Sequence, residues 1–140
     1  RALIRGLCWR GEFNRESKMI GYVTLGTNRY DEAAAFYDAL LAEMGAKRLM
    51  ESDNFIAWGT GMGAPAVSII KPNDGQPATA GNGTMVAMPL DAQAKVDALH
   101  ARALALGAAN EGDPGLRGGS FYAAYFRDLD GNKFALFCMG

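Results

Sequence analysis

One order of elements occurs twice in the chain, and that duplication constrains the fold more than any single motif. Residues 20–25 alternate as a strand. After a polar break, Ala33, Phe36, Tyr37, Leu40, Leu41 and Met44 recur at helical spacing and make an apolar stripe. Asn28 is the expected N-cap and Gly45 the terminator. Residues 47–50, 55–58 and 66–70 then read as three short strands. A run rich in Gly, Pro, Asn and Thr, residues 73–83, separates them from a return of the same order. Residues 84–89 form the next strand. Asp91 is the expected cap of a helix carrying Val96, Leu99, Ala103 and Leu106, which ends at Gly107. Gly107-Ala108 repeats Gly45-Ala46. A second glycine-rich stretch leads to strands at 121–126 and 134–138. A repeat of roughly sixty residues with this content is a duplicated α+β unit. Neither copy can cover its own sheet, so the two must pack together.

The remaining bulk properties exclude several function classes. The chain has 140 residues, enough for one domain with a core, and 49% of them are hydrophobic. A net charge of -1 gives no electrostatic footprint for nucleic acid or anionic lipid. No apolar run is long enough to span a bilayer. Cys8 and Cys138 do not make a disulfide framework, and free thiols in a reducing, cytoplasmic setting are expected. Residues 1–18, slightly basic and containing Trp9, precede the patterned part that starts at Met19. They read as a leader or as an arm that docks on a partner, with residues 19–140 as one domain and its modules at about 19–72 and 84–139.

Three segments together carry a family resemblance. These are the opening Ile-Gly-Tyr-Val-Thr-Leu (20–25), the helical Ala-Ala-Ala-Phe-Tyr (33–37) and the closing Tyr-Phe-Arg-Asp-Leu-Asp-Gly-Asn-Lys (125–133). In this order they resemble the glyoxalase / bleomycin resistance / extradiol dioxygenase superfamily, the vicinal oxygen chelate proteins, over residues 19–139. The resemblance implies an α+β fold of two βαβββ modules whose mixed sheet curls into a cup, with helices outside, and a homodimer that in some members pairs modules across chains.

The resemblance also says where metal ligands belong. The opening histidine of the family's pattern falls on Tyr22, its second-module counterpart on Met85, and the metal-binding glutamate after the Asp-Gly turn on Ala135. None is a hard-metal ligand, since a thioether is soft. The implied protein therefore holds no metal and no cofactor. It binds a small organic molecule in its cup. A glyoxalase-related lyase, isomerase or dioxygenase with relocated ligands is the alternative.

Strand alternation then assigns the cup lining. Tyr22 and Thr24 face in while Val23 and Leu25 meet the helix. Met85 and Ala87 face in, as do Ala135 and Phe137, with Phe134 and Leu136 under the helices. Tyr125 stands ten residues before Ala135, and the same separation in the first half selects Trp58 and Ser68. The expected site is thus Tyr22, Thr24, Trp58, Ser68, Met85, Tyr125, Ala135 and Phe137, an aromatic wall with a few hydroxyls. His100 is expected at the surface or boundary of the second helix. Arg117 is read as a loop arginine, or as a carboxylate holder at the cup mouth. The loop 59–63 is a strand connection able to gate the cup. Asp128 and Asp130 are read as turn formers rather than paired catalytic acids.

Overall fold

The computed structural model describes residues 19–140; the leader or arm expected over residues 1–18 lies outside them. The first half contains β1 (Tyr22–Gly26), α1 (Tyr30–Ala42), β2 (Lys47–Glu51), β3 (Phe55–Gly59) and β4 (Ala66–Ile70). The second contains β5 (Val86–Pro89), α2 (Gln93–Ala105), β6 (Ala109–Leu116), β7 (Phe121–Arg127) and β8 (Lys133–Met139). Each half makes its own four-stranded mixed sheet, ordered β1-β4-β3-β2 and β5-β8-β7-β6. The first strand of each half runs parallel to the last, and the other pairs are antiparallel. The fold is α+β, two βαβββ modules with open sheets, as the duplication requires.

The helices form where the apolar stripes lie. Helix α1 buries Ala33, Ala34, Phe36, Tyr37, Leu40 and Leu41, and α2 buries Val96, Leu99, His100 and Ala103. Each large side chain buried this way contributes about 1.5–3 kcal/mol. The two modules share one core. Phe36 meets Phe126 at 6.5 Å between ring centroids, and Tyr37 lies between Trp58 at 5.4 Å and Phe134 at 6.0 Å. The helix-covered sheet faces therefore pack toward a common interior containing Leu25, Ile69, Met88 and Leu136. The opposite face of each sheet stays open.

The Asp-Gly turn of residues 128–132 fastens one module to the other. Within the turn, the Asp128 carboxylate accepts from the backbone N–H groups of Asp130 and Asn132, at 2.9 and 2.8 Å, and from Asn132 Nδ2 at 3.0 Å. From the other module it accepts the Tyr37 hydroxyl. Asp130 reaches across as well, accepting from Thr27 Oγ1 at 2.5 Å and from the Asn28 N–H at 2.8 Å. Asn132 Nδ2 donates to the Gly26 carbonyl at 3.1 Å. The expectation that the two aspartates form the turn holds for the Asp128 carboxylate, which also holds Tyr37 within α1, whereas the Asp130 carboxylate is spent on Thr27 and Asn28 just before α1.

Three local expectations need correction. Asn28 does not cap α1: its side chain holds the linker, donating to the Ala78 carbonyl at 3.1 Å and accepting the Ala78 N–H at 2.7 Å. Arg29 occupies the N-cap position and its N–H donates to Thr27 Oγ1. Asp91 does not cap α2 either; Ala92 stands there, and Asp91 pairs with Lys95 at the surface. Finally, the glycine-rich stretch after α2 is a strand. β6 pairs with β7 through two register shifts, which accommodate its Gly and Pro residues at a sheet edge. The predicted helix ends hold, with Gly45 at φ 78° and Gly107 at φ 110°.

Candidate functional site

Most of the candidate site residues lie on the two open sheet faces. On the first, alternation from the buried Leu25 leaves Tyr22 and Thr24 exposed, opposite Ala66 and Ser68 of β4. Ser68 is fully buried, and its Oγ lies 2.9 Å from both the Val23 carbonyl and the Thr24 hydroxyl. Its single proton is thus used within the sheet, and Thr24 is the hydroxyl open to solvent. Tyr22 contacts Phe55 edge-on at 6.2 Å.

Trp58 does not belong to this face. It is 1% exposed, packs on Tyr37 of α1, and its Nε1 donates to Asp38 at 2.8 Å. Arg48 makes a two-pronged pair with the same carboxylate, at 2.9 and 2.8 Å, and holds Asp38 below the usual carboxylate range. The equal-separation rule failed because the connection between β3 and β4, residues 60–65, is one residue longer than that between β7 and β8, residues 128–132, so the register places Ala57 opposite Ser68 on the open face.

The second open face is built by β5, β8, β7 and β6. Ala135 sits between Ala87 and Tyr125, and Phe137 between Pro89 and Ala123. Phe137 stacks on Phe121 at 5.5 Å. Met85, 44% exposed, immediately precedes β5. Ala135 is only 1% exposed, enclosed by its neighbours, so its methyl group offers a ligand little direct surface. Tyr125 carries two cations against its ring, the Arg117 guanidinium and the Lys133 ammonium, each 5.4 Å from the centroid. Lys133 escaped the sequence reading, although it lies two residues before Ala135 and the same alternation puts it on that face.

His100, expected at the surface or boundary, is 4% exposed beneath this sheet. Its Nε2 lies 3.1 Å from both Asn110 Oδ1 and the Tyr125 carbonyl. Both partners accept, so Nε2 carries the proton. The only histidine of the chain therefore fixes the backbone of Tyr125 from behind.

The predicted site residues thus divide between two sheets: Tyr22, Thr24 and Ser68 in one, and Tyr125, Ala135 and Phe137 in the other, with Met85 at its entry. Within one chain these sheets are not joined strand to strand. The cavity on the first face, between Tyr22, Met50, Ala57 and Met62, measures only ≈ 20 Å³. That is room for about one water. The loop expected to gate the cup supplies Met62 to its wall. A larger groove of ≈ 670 Å³ lies elsewhere, between the end of α1 at Met44 and the start of α2 at Lys95 and Leu99.

The residues at the metal seats of the resembling family do not fit a hard divalent ion. By the resemblance those seats fall on Tyr22, Met85 and Ala135. Among the described residues no three His, Cys, Asp or Glu side chains come together to hold one. Among the same residues, no helix is long and apolar enough to cross a membrane.

The model of the glyoxalase-like domain family matches residues 22–137. A glyoxalase/bleomycin resistance protein from Albidiferax ferrireducens T118 is 33% identical, with a TM-score of 0.79 over 88% of this chain and 100% of that one. A hypothetical protein from S. aureus is 25% identical, with a TM-score of 0.67 over 86% and 92% of the two chains. A lactoylglutathione lyase from Agrobacterium tumefaciens shares the fold at 20% identity, with a TM-score of 0.63 over 89% and 96%. No curated protein matches the chain.

Proposed function

The chain belongs to the glyoxalase-like family, and from that premise we propose that it is a metal-independent binder of a small hydrophobic or aromatic molecule. It works as a homodimer in which the open sheet faces of two copies meet to form the cup. The observation that carries this reading is the character of those faces. Tyr22, Met62, Met85 and Met139 are 47%, 40%, 44% and 64% exposed on one chain, although they are large and apolar. Uncovered apolar surface of this kind marks an interaction or ligand site.

The need for a second copy follows from the size of the space. Small-molecule pockets enclose about 300–1,000 Å³, far more than the ≈ 20 Å³ on the first open face of a single chain. Edge strands β1 and β5 each have one paired neighbour among the described residues, so both can abut a second copy. That arrangement places the Tyr22 face of one chain opposite the Tyr125 face of its partner. Aromatic walls add about 0.5–1.5 kcal/mol per ring contact beyond burial, and the Thr24 hydroxyl offers a polar handle.

The test combines sedimentation equilibrium with a thermal-shift screen of planar aromatic compounds. A dimer is expected across a hundredfold range of protein concentration. A compound at about a hundred times its Kd is expected to add roughly 2.7 kcal/mol of stability. A strict monomer, or a screen without a hit, refutes the proposal. Stoichiometric Ni, Zn, Mn or Fe by elemental analysis refutes its metal independence.

A further inference from the structure

We infer that the cup takes a molecule bearing a carboxylate or similar anionic group, held by Arg117 and Lys133 on either side of the Tyr125 phenol. This rests on the binding-protein reading above and adds the class of ligand.

The cations are placed but not neutralised. Arg117 approaches Tyr125 from the β6 side and Lys133 from β8, the two strands that flank it. A cation over an aromatic face is attracted by the ring quadrupole, yet it keeps its full charge. Among the described residues neither Arg117 nor Lys133 is ion-paired, whereas Arg29, Arg48, Lys95, Arg102 and Arg127 all are. The nearby carboxylates make their short side-chain contacts with other groups, although the Lys133 charge also helps hold Glu111 below its usual range. Glu111 accepts from Arg127 Nε at 2.6 Å, and Asp113 accepts from Asn110 Nδ2 at 2.7 Å. Around Tyr125, Arg117, Arg127 and Lys133 thus outnumber Glu111 and Asp113, although the chain as a whole carries -1.

The seat of Arg117 is shaped by the backbone. Its Nη2 donates to the Asp113 carbonyl at 2.5 Å. A Cβ at Gly115 would lie 3.0 Å from Arg117 Nη1. One at Gly112 would lie 3.3 Å from Nη2 and 2.9 Å from Tyr125 Cδ2. The two glycines of β6 therefore clear a trough in which the guanidinium lies against the ring. The sequence showed those glycines only as a loop signal. Their spacing has a use once the arginine is seen lying over them.

A planar guanidinium held this way matches a carboxylate in two-pronged geometry, and Lys133 adds a second charge. The stacked Phe121–Phe137 pair lies further along the same strands, so the apolar part of a ligand has an aromatic partner there. Anionic head and flat apolar body are thus read by adjacent parts of one face.

The experiment compares matched probes on the full chain by calorimetric titration: benzoate, 2-naphthoate and indole-3-carboxylate against their primary amides. The expected result is a preference of about tenfold or more for the carboxylates at low salt, the size of one favourable ion-pair contact. It weakens at high salt and falls to within about twofold in the Arg117→Gln/Lys133→Gln double variant. Urea midpoints check that the variant is folded. Equal binding of acids and amides overturns the anion assignment while leaving the binding-protein reading standing. A carboxylate preference that survives the double substitution overturns the assignment to these two residues. Failure of every probe, acid and amide alike, removes the binding-protein reading and this inference with it.

Discussion

Replacing Tyr37 with Phe tests the clamp between modules, because it deletes one hydroxyl and leaves the packing in place. Tyr37 is fully buried, and its hydroxyl donates to Asp128 of the other module. A hydrogen bond to a charged acceptor contributes about 1.5–3 kcal/mol. Asp128 keeps three donors from its own turn, so it is not orphaned and the cost stays within that range. For a domain of this size that is a fall in Tm of about 6–12 °C. The pH dependence supplies an independent signature. Burial, followed by the charge of Asp128, raises the Tyr37 hydroxyl well above its ordinary value of 10.0. Above pH 10 the unfolded chain releases this proton while the folded chain keeps it. The contribution of Tyr37 is therefore complete below pH 10 and lost as pH rises beyond it, at up to about 1.4 kcal/mol per unit. The Phe variant lacks that slope. Urea unfolding of both chains from pH 7 to 11 is the assay, and the stability gap should narrow above pH 10. Tyr30 and Tyr122 are also raised, but they occur in both chains and cancel in the difference. A gap that is absent at pH 7, or constant up to pH 11, refutes the reasoning.

Other substitutions probe the remaining parts. Gly45→Ala meets no atom within 4 Å and bears only the left-handed backbone penalty, about 1–2 kcal/mol. Gly107→Ala should cost more, since φ is 110° and its Cβ falls 3.1 Å from Leu129 Cδ2; chemical denaturation ranks the two, and the reverse order contradicts the account. Trp58→Phe loses the hydrogen bond to Asp38 and part of a buried ring, for about 1–3 kcal/mol, while probe affinity stays within about twofold because the ring faces α1. Asp130→Ala removes the acceptor of Thr27 and Asn28 at the start of α1 and should cost about 3 kcal/mol, measured by urea midpoint.

The fold was legible because its signals are local and repeated. Period-3.6 stripes, paired terminator glycines and alternating strands survive without knowledge of the partner sheet, and the structure uses nearly all of them. The failures share one cause. Asn28 and Asp91 have the side chains of helix caps, but Asn28 is drawn away by Ala78, fifty residues distant, and Asp91 by Lys95. Strand β6 carries glycine and proline and reads as a loop; only pairing with β7 makes it a strand. His100 looks like a boundary residue until Asn110 and the Tyr125 carbonyl appear opposite its ring. The site follows the same division. Which faces are open could be read from alternation, since Leu25 and Phe134 had to be buried. The placement of Trp58 could not, because it depended on a one-residue difference between the β3–β4 and β7–β8 connections. What gathers around Tyr125 is a tertiary fact of the same kind. A loop arginine, a turn-flanking lysine and two strand glycines have no common signature along the chain, and they acquire one only when β6, β7 and β8 lie side by side. The proposed anion seat therefore lies where local sequence rules say least, on the face whose helix-bound reverse they describe best.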